Sequence, residues 1–446
     1  LSGGINRHYN RFFVMKIQPA SKLNGTINLP GDKSISHRAA LFSALAAGAT
    51  RVENFATSAD CASTLSCLEQ LGVSIKRDGS TVFVEGVGKT GFQKPSDALD
   101  CGNSGTTMRL LAGILAGQSF DSVLTGDESL SKRPMRRVIE PLSRMNASLE
   151  ATDDHAPLKI AGVNPLRAIS FEPRIASAQV KSCVLLAGLN ADGRTSVLEK
   201  TPTRDHTERM LRWFGVEVAE SDGESGKTLS VSGDAELTAK DLRVPSDVSS
   251  AAFFLGAAAC LKESELLLPN VGLNPTRNAI VEVLKDFGAE IAILNEREIA
   301  GEPVGDLRVK GSGHLESNAS SNVLRGKIIA NLIDEIPILA VFGTQLEGGL
   351  EIREAQELRV KESDRIRAVV ENLRRMNAEV EEFEDGLRVG RSNLKGARVE
   401  SYGDHRIAMA FAVAALFADG ETEIADAGCA AVSFPAFFET LRAVAK

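Results

Sequence analysis

Cys67 to Gly88 reads CLEQLGVSIKRDGSTVFVEGVG: a helix ending in a Leu-Gly-Val step, a short strand, a turn, and a strand closing on glycine. The pattern returns, with Leu, Met or Phe, then Gly or Asn, then Val or Ala at the step, at Val138 to Gly162, Glu208 to Gly233, Val281 to Gly311 and Val369 to Gly390. A second pattern alternates with it, an Ala/Leu-rich helix followed by a polar step and a β-branched strand. It occupies Ala39 to Asn54, Leu110 to Thr125, Ser182 to Leu198, Ala251 to Leu268, Ile336 to Ile352 and Met409 to Ile424. The repeat length is roughly 70 to 80 residues, far longer than that of a solenoid. Each unit holds two helices and about four strands, so six units fill the chain and divide into two α/β domains of three. Helices with no polar face, such as Ala251 to Cys260, must be covered on all sides. We expect them inside, with amphipathic helices and sheets around them.

Composition agrees with this plan. A chain of 446 residues exceeds one ordinary core, and 43% hydrophobic with 25% charged residues is the balance of a globular protein. The apolar runs Ala251 to Leu261 and Ile407 to Phe417 are about half a bilayer span, so no membrane partner is expected. Six cysteines without a CxxC pair suit a reducing cytoplasm. A net charge of −8 argues against nucleic-acid binding, so any anionic ligand needs a local cluster of cations. Residues 1–14 show neither an apolar signal core nor periodicity; they read as an extension ahead of a more natural start at Met15.

Such cations occur in short motifs. Pro30-Gly31-Asp32-Lys33-Ser34-Ile35-Ser36-His37-Arg38 precedes a helix, where free backbone N–H groups and the dipole add to the side-chain charge. It lacks the GxxxxGK[ST] of a P-loop. Cys101-Gly102-Asn103-Ser104-Gly105-Thr106-Thr107-Met108-Arg109 again opens a helix, with glycines that let a ligand approach the backbone. Ser131 to Arg136, Ser177-Ala178-Gln179-Val180-Lys181 and Arg204 to Arg209 follow, then Asp334-Glu335-Ile336-Pro337, Arg359 to Arg365 and Gly403-Asp404-His405-Arg406. Singly, each also reads as a helix cap or a solvated charged face, and Glu362 to Arg365 as a salt-bridge lattice. Together, Lys33, Arg38, Arg133, Arg204, Lys361, Arg365 and Arg406 sit at junctions between units in both halves of an acidic chain. That many cations imply ligands bearing phosphates and carboxylates, with Asp334 and Glu362 as the acid-base groups. The histidines show no metal-ligand spacing such as HxxxH.

PGDKSISHR, GNSGTTMR, RVKESDR and GDHR, in this order in one chain, resemble the 5-enolpyruvylshikimate-3-phosphate synthases, over essentially the whole length from about Met15. The resemblance implies two inside-out α/β barrel domains of three βαβαββ units each, with the site in the cleft between them. The chain would cross twice, near Pro30-Gly31 and Val244-Pro245-Ser246, giving a domain of 1–31 plus 246–446 and one of 32–245. The implied activity moves an enolpyruvyl group from phosphoenolpyruvate to the 5-hydroxyl of shikimate 3-phosphate in aromatic amino-acid biosynthesis, as a cytoplasmic monomer without metal or cofactor. Shikimate 3-phosphate would be held by Lys33, Ser34, Arg38, Ser177, Ala178, Gln179, Arg204, Asp334 and Lys361. Phosphoenolpyruvate would be held by Lys33, Asn103, Gly105, Arg133, Gln179, Arg365, His405 and Arg406, with Asp334, Glu362 and Lys33 catalytic. Glyphosate, an inhibitor of this family, would compete at the donor site beside Gly105.

Two departures stand out. Ala178 occupies a position where some members have a second phosphate-binding serine, and Ala430 to Pro435 lacks a lysine that one branch directs at the donor. The alternatives are an enolpyruvyl transferase acting on UDP-N-acetylglucosamine, which PGDKSISHR and GDHR disfavour, and a non-catalytic receptor for phosphorylated metabolites. A receptor would not place Asp334 and Glu362 beside its cations, since carboxylates repel anions.

Overall fold

The Leu-Gly-Val step is a helix stop built from local hydrogen bonds. In the computed structural model, which describes residues 13–317 and 321–446, the helix Ala59–Gln70 ends with Gly72 at φ +87°. Val73 N–H then donates to Leu68 O at 3.1 Å and Gly72 N–H to Glu69 O at 3.1 Å. This crossed pair satisfies carbonyls that the helix end would otherwise leave unpaired. The same pair of bonds forms around Asn146, Gly215, Gly288 and Asn377, all at positive φ. Glycine and asparagine alternate at the step because both tolerate that conformation.

Six central helices carry the architecture: α1 (Lys33–Leu45), α2 (Gly105–Ala116), α3 (Ala178–Gly188), α4 (Val248–Cys260), α5 (Ile336–Gly343) and α6 (His405–Leu416). Every residue of α5 and α6 is buried, and so is all of α4 before Cys260. The helices without a polar face therefore do lie inside. Outer helices such as Arg136–Arg144 and Arg365–Arg375 are amphipathic and cover them.

Each of the six small sheets among the described residues belongs to one unit. In the unit around α2, Leu99–Asp100 runs parallel to Asp121–Thr125, which pairs antiparallel with His155–Ala161, itself hydrogen-bonded to Ser148–Thr152. The units around α3 and α5 repeat this order. Three units borrow a strand. The one around α1 takes Leu242–Arg243, the one around α4 takes Asn24–Thr26, and the one around α6 takes Met15–Ile17. The buried apolar side chains form two clusters, one of Ile35 to Val244 and one of Leu23 to Leu29 together with Val248 to Val444. The chain passes between them at Pro30–Asp32 and Pro245–Asp247, side by side. There Asp32 N–H donates to Pro245 O at 2.7 Å and Asp247 N–H to Pro30 O at 3.0 Å. Of the expected N-terminal extension, residues 1–12 lie outside the described residues.

The glycine that closes the second strand has its own reason. A Cβ on Gly233 would lie 1.8 Å from Ala191 O, and one on Gly162 2.3 Å from Gln118 O, so each strand crosses the backbone at the end of a central helix with no room for a side chain. In the first unit Gly86, not Gly88, does this, at 2.1 Å from Ala46 O. Gly233→Ala should therefore lower unfolding stability by at least about 2 kcal/mol, since backbone must move. Gly428→Ala, where a Cβ meets nothing within 4 Å, should change it by less than about 0.5 kcal/mol in the same denaturant titration.

Candidate active site

The sequence motifs are the N-termini of the central helices. Asp32, Ser104, Ser177, Asp247 and Asp404 cap α1, α2, α3, α4 and α6 by accepting backbone N–H bonds, while α5 begins with Pro337 in its first turn. Side chains bind these ends to one another. Lys33 N–H donates to Asp247 Oδ2 at 3.3 Å, and Ser249 Oγ donates to Glu335. Arg406 Nη1 donates to Asp334 O at 2.8 Å, and Gln179 Nε2 to Thr106 Oγ1 at 2.9 Å. Six positive dipole ends thus gather at one place, a setting for anions that needs no ion to create it.

Charged side chains fill the space between the two cores. Arg204 Nη2 lies 2.7 Å from Asp334 Oδ2, and Arg133 Nη1 lies 3.6 Å from Glu362 Oε1, so each pair joins one core to the other. Arg365, fully buried, holds Asp404 Oδ2 at 2.8 Å, Glu362 Oε2 at 2.7 Å and Asp334 Oδ1 at 3.4 Å. Arg406 Nη2 is 3.8 Å from Asp334 Oδ2. Arg133 also donates to Asn103 Oδ1 at 2.7 Å, which fixes that side chain at the mouth of α2. A cavity of about 2130 Å³ opens beside the Arg133–Glu362 contact, lined by Asp60, Asn103 and Arg133 on one side and Lys361 and Glu362 on the other, while Lys33, Arg204, Asp334, Arg365 and Arg406 lie outside its lining. It exceeds the usual volume for one small ligand, about 300–1,000 Å³.

Burial pushes the Glu362 carboxyl up, but Arg365 and Arg133 outweigh it and hold the group well below the ordinary carboxylate range. Asp334 behaves alike: burial raises it, and Arg406, Arg204, Lys361 and Arg365 pull it well below. Burial lowers Lys33, yet Asp60 and Glu362 leave it raised above the ordinary lysine value. His405 is driven well below its ordinary value by burial and by Lys33 and Arg406, so it is neutral here. The site therefore holds two ionised carboxylates beside a protonated lysine.

Most of the expected residues come together, and one takes another course. Arg38 turns inward: Nε donates to Thr207 Oγ1 at 2.8 Å, Nη2 to Ser182 Oγ at 2.9 Å and Nη1 to Ser34 O at 2.9 Å. Arg38 is 3% exposed, and its guanidinium ties α1 to α3 and to helix His206–Trp213 with three of its five N–H donors. Ser177 Oγ caps α3 through Val180 N–H at 3.4 Å, and Lys361 lies 3.4 Å from Glu357 Oε1, partly open to the cleft. Two partners were missed by sequence reasoning. Asp60 receives the Lys33 ammonium at 3.0 Å, but an acid in the first turn of a helix has the look of an ordinary dipole partner. Arg109 grips Gln179 Oε1 at 2.6 Å; it ends the GNSGTTMR motif, which was the available signal.

The depressed carboxylates set a pH dependence. A group whose folded value lies below its unfolded one stabilises the fold above the unfolded value, about 3.9 for Asp and 4.3 for Glu, and loses this as pH falls through the folded value. The melting temperature of the ligand-free protein should fall steeply below about pH 4, and Asp334→Asn and Glu362→Gln should each flatten that acid limb. A limb unchanged in both variants would show that these groups titrate normally.

Comparison with known proteins agrees with the geometry. The family model of EPSP synthase (3-phosphoshikimate 1-carboxyvinyltransferase) matches residues 17–441. The 3-phosphoshikimate 1-carboxyvinyltransferase of Koribacter versatilis is 52% identical over 432 residues, 96% of this chain and 99% of the relative. That of Salinibacter ruber is 51% identical over 97% of this chain and 99% of its own. The solved EPSP synthase of Acinetobacter baumannii superposes with a TM-score of 0.86 at 42% identity, covering 97% of this chain and 98% of that one.

Proposed function

Since the chain belongs to the EPSP synthase family, we propose how its residues divide the work of enolpyruvyl transfer. The chain is a 3-phosphoshikimate 1-carboxyvinyltransferase of aromatic amino-acid biosynthesis: it moves the enolpyruvyl group of phosphoenolpyruvate to shikimate 3-phosphate and releases phosphate. The UDP-sugar and receptor alternatives fall away with this match. The observation that carries the division of roles is the pair of ion contacts between the cores, Arg204 with Asp334 and Arg133 with Glu362.

The acceptor lies along α3 and the Arg204 loop, held by Lys33, Ser34, Arg38, Ser177, Gln179, Arg204, Asp334 and Lys361. At the start of α3 the backbone N–H of Ala178 serves where other members carry a serine. Arg38 supports this side from within, through Thr207 and Ser182. The donor lies against Lys33, Asn103, Gly105, Arg133, Gln179, Arg365, His405 and Arg406. The 5-hydroxyl attacks C2 of phosphoenolpyruvate while a proton reaches C3. The resulting tetrahedral adduct then loses a C3 proton and breaks its C2–O bond to phosphate. Asp334 and Glu362 accept protons in this cycle and Lys33 donates, while Arg133, Arg365 and Arg406 neutralise the departing phosphate. C–O cleavage with cations already in place calls for no metal or cofactor. The domains are 1–31 plus 246–446 and 32–245, closing on the substrates. The protein works as a monomer in the cytoplasm; no helix among the described residues is long and apolar enough to cross a membrane.

A coupled phosphate-release assay with both substrates tests the reaction. In that assay Glu362→Gln and Asp334→Asn should lower turnover by at least about a hundredfold with substrate binding within about tenfold, the scale of losing an acid-base group. Arg133→Ala and Arg406→Ala should weaken phosphoenolpyruvate binding instead, and unchanged donor affinity in both would remove them from its site. Gly105 supplies a second test. A Cβ there would lie 2.7 Å from Arg109 Nη1 and 3.6 Å from Arg133 Nη1, so alanine displaces the guanidinium that holds Gln179. Glyphosate, longer than phosphoenolpyruvate, should compete with it in the wild type, and Gly105→Ala should raise its inhibition constant at least about tenfold with a smaller loss of donor affinity. Equal losses would place the glycine in the helix turn rather than the pocket wall.

A further inference from the structure

Behind the loop that carries Arg204 lies a lysine closed off from solvent. Lys181, on α3, is 1% exposed, and its ammonium sits 2.9 Å from Glu199 Oε2 and 2.6 Å from Glu208 Oε1. Glu199 ends the strand Arg194–Glu199, and Glu208 lies in the first turn of helix His206–Trp213. The segment between strand and helix, 200–205, is the Arg204 loop. One ammonium therefore grips both sides of a loop whose tip reaches Asp334 in the other core. Thr203 Oγ1, next to Arg204, donates to the second oxygen of Glu199, so the loop is tied to the same post from within.

Packing alone does not ask for this. A buried charge is costly unless paired, and an apolar cluster of equal volume is often as stable. Burial pushes the Glu208 carboxyl up, in spite of Lys181, and the Arg38 guanidinium acts on the same carboxylate. What the ion cluster provides is direction: three charged groups on three elements admit one arrangement of the loop, where apolar contacts would admit several.

We propose that Lys181 is a positioning residue for the acceptor, holding the 200–205 loop through Glu199 and Thr203 so that Arg204 meets the phosphate of shikimate 3-phosphate in a fixed geometry. This rests on the acceptor site assigned above. Acceptor affinity is best read by calorimetry, which needs no turnover, so a wild type that binds but does not react refutes the reaction scheme and not the positioning role. Wild type that binds no shikimate 3-phosphate overturns both.

Thr203→Val cuts the loop tie and leaves the buried ions intact. It should raise the acceptor Kd at least about fivefold with the phosphoenolpyruvate KM within about twofold, as loss of a bond to a charged group predicts. Lys181→Met should raise the acceptor Kd at least about tenfold. In an Arg204→Ala background Thr203→Val should have almost no further effect, because the tie acts through that arginine. A merely structural tie would instead give additive effects. Additivity, an unchanged acceptor Kd in Thr203→Val, or equal shifts for donor and acceptor overturns the proposal. An unchanged acceptor Kd in a folded Lys181→Met overturns it as well, and should that variant fail to fold, the Thr203→Val cycle still tests the tie through which Lys181 acts.

Discussion

A helix with no polar side can be buried along its length, but its first turn cannot be left without partners, because four backbone N–H groups there have no acceptor inside the helix. Among the described residues α4, α5 and α6 are buried almost throughout, and α1, α2 and α3 over most of their length. Five first turns are closed in part by an Asp or Ser cap, and the sixth by a proline that removes a donor. Side chains join these dipole ends to one another where the two cores meet. The same requirement that makes the buried helices possible thus makes the cleft attractive to phosphate and carboxylate.

Arginines raise that attraction, and each is held by a carboxylate while it waits. Breaking a buried pair costs about 3–5 kcal/mol when the freed charge finds no new partner. Under the division of roles proposed above, an entering anion takes over cations from Asp334 or Glu362, which loosens the carboxylates assigned to proton transfer. Asp404 is different. It caps α6 through Arg406 N–H at 2.9 Å, holds Arg365 at 2.8 Å and accepts from Ser363 Oγ at 3.1 Å. Completely buried, it fixes the direction of the Arg365 side chain.

The repeat was legible because its helix stop is local: the bonds around Gly72 or Asn146 run within a few residues, so the side chains that permit them recur in the sequence. The motifs were legible for a similar reason, as each is one helix start. What escaped depends on distant partners. Asn24–Thr26 is three exposed residues with no alternation, and only its partner Glu265–Gly272 makes it a strand. Arg38 was grouped with the ligand cations because it follows a helix start, whereas its direction is set by Ser182 and Thr207 on other elements. Lys181 appears in the sequence as one more surface cation; two acids from different elements make it an anchor.

The borrowed strands bear on how the chain is made. Met15–Ile17 and Asn24–Thr26 leave the ribosome first, yet their partners Thr422–Ala425 and Glu265–Gly272 are synthesised after the whole of the Ile35 to Val244 core. That core needs only residues up to Arg243 to complete its sheets and can close while translation continues. The earliest strands meanwhile wait with unpaired edges, the state most open to wrong partners. They are short, and Asn24–Thr26 is polar, which gives a foreign edge little to hold during the wait.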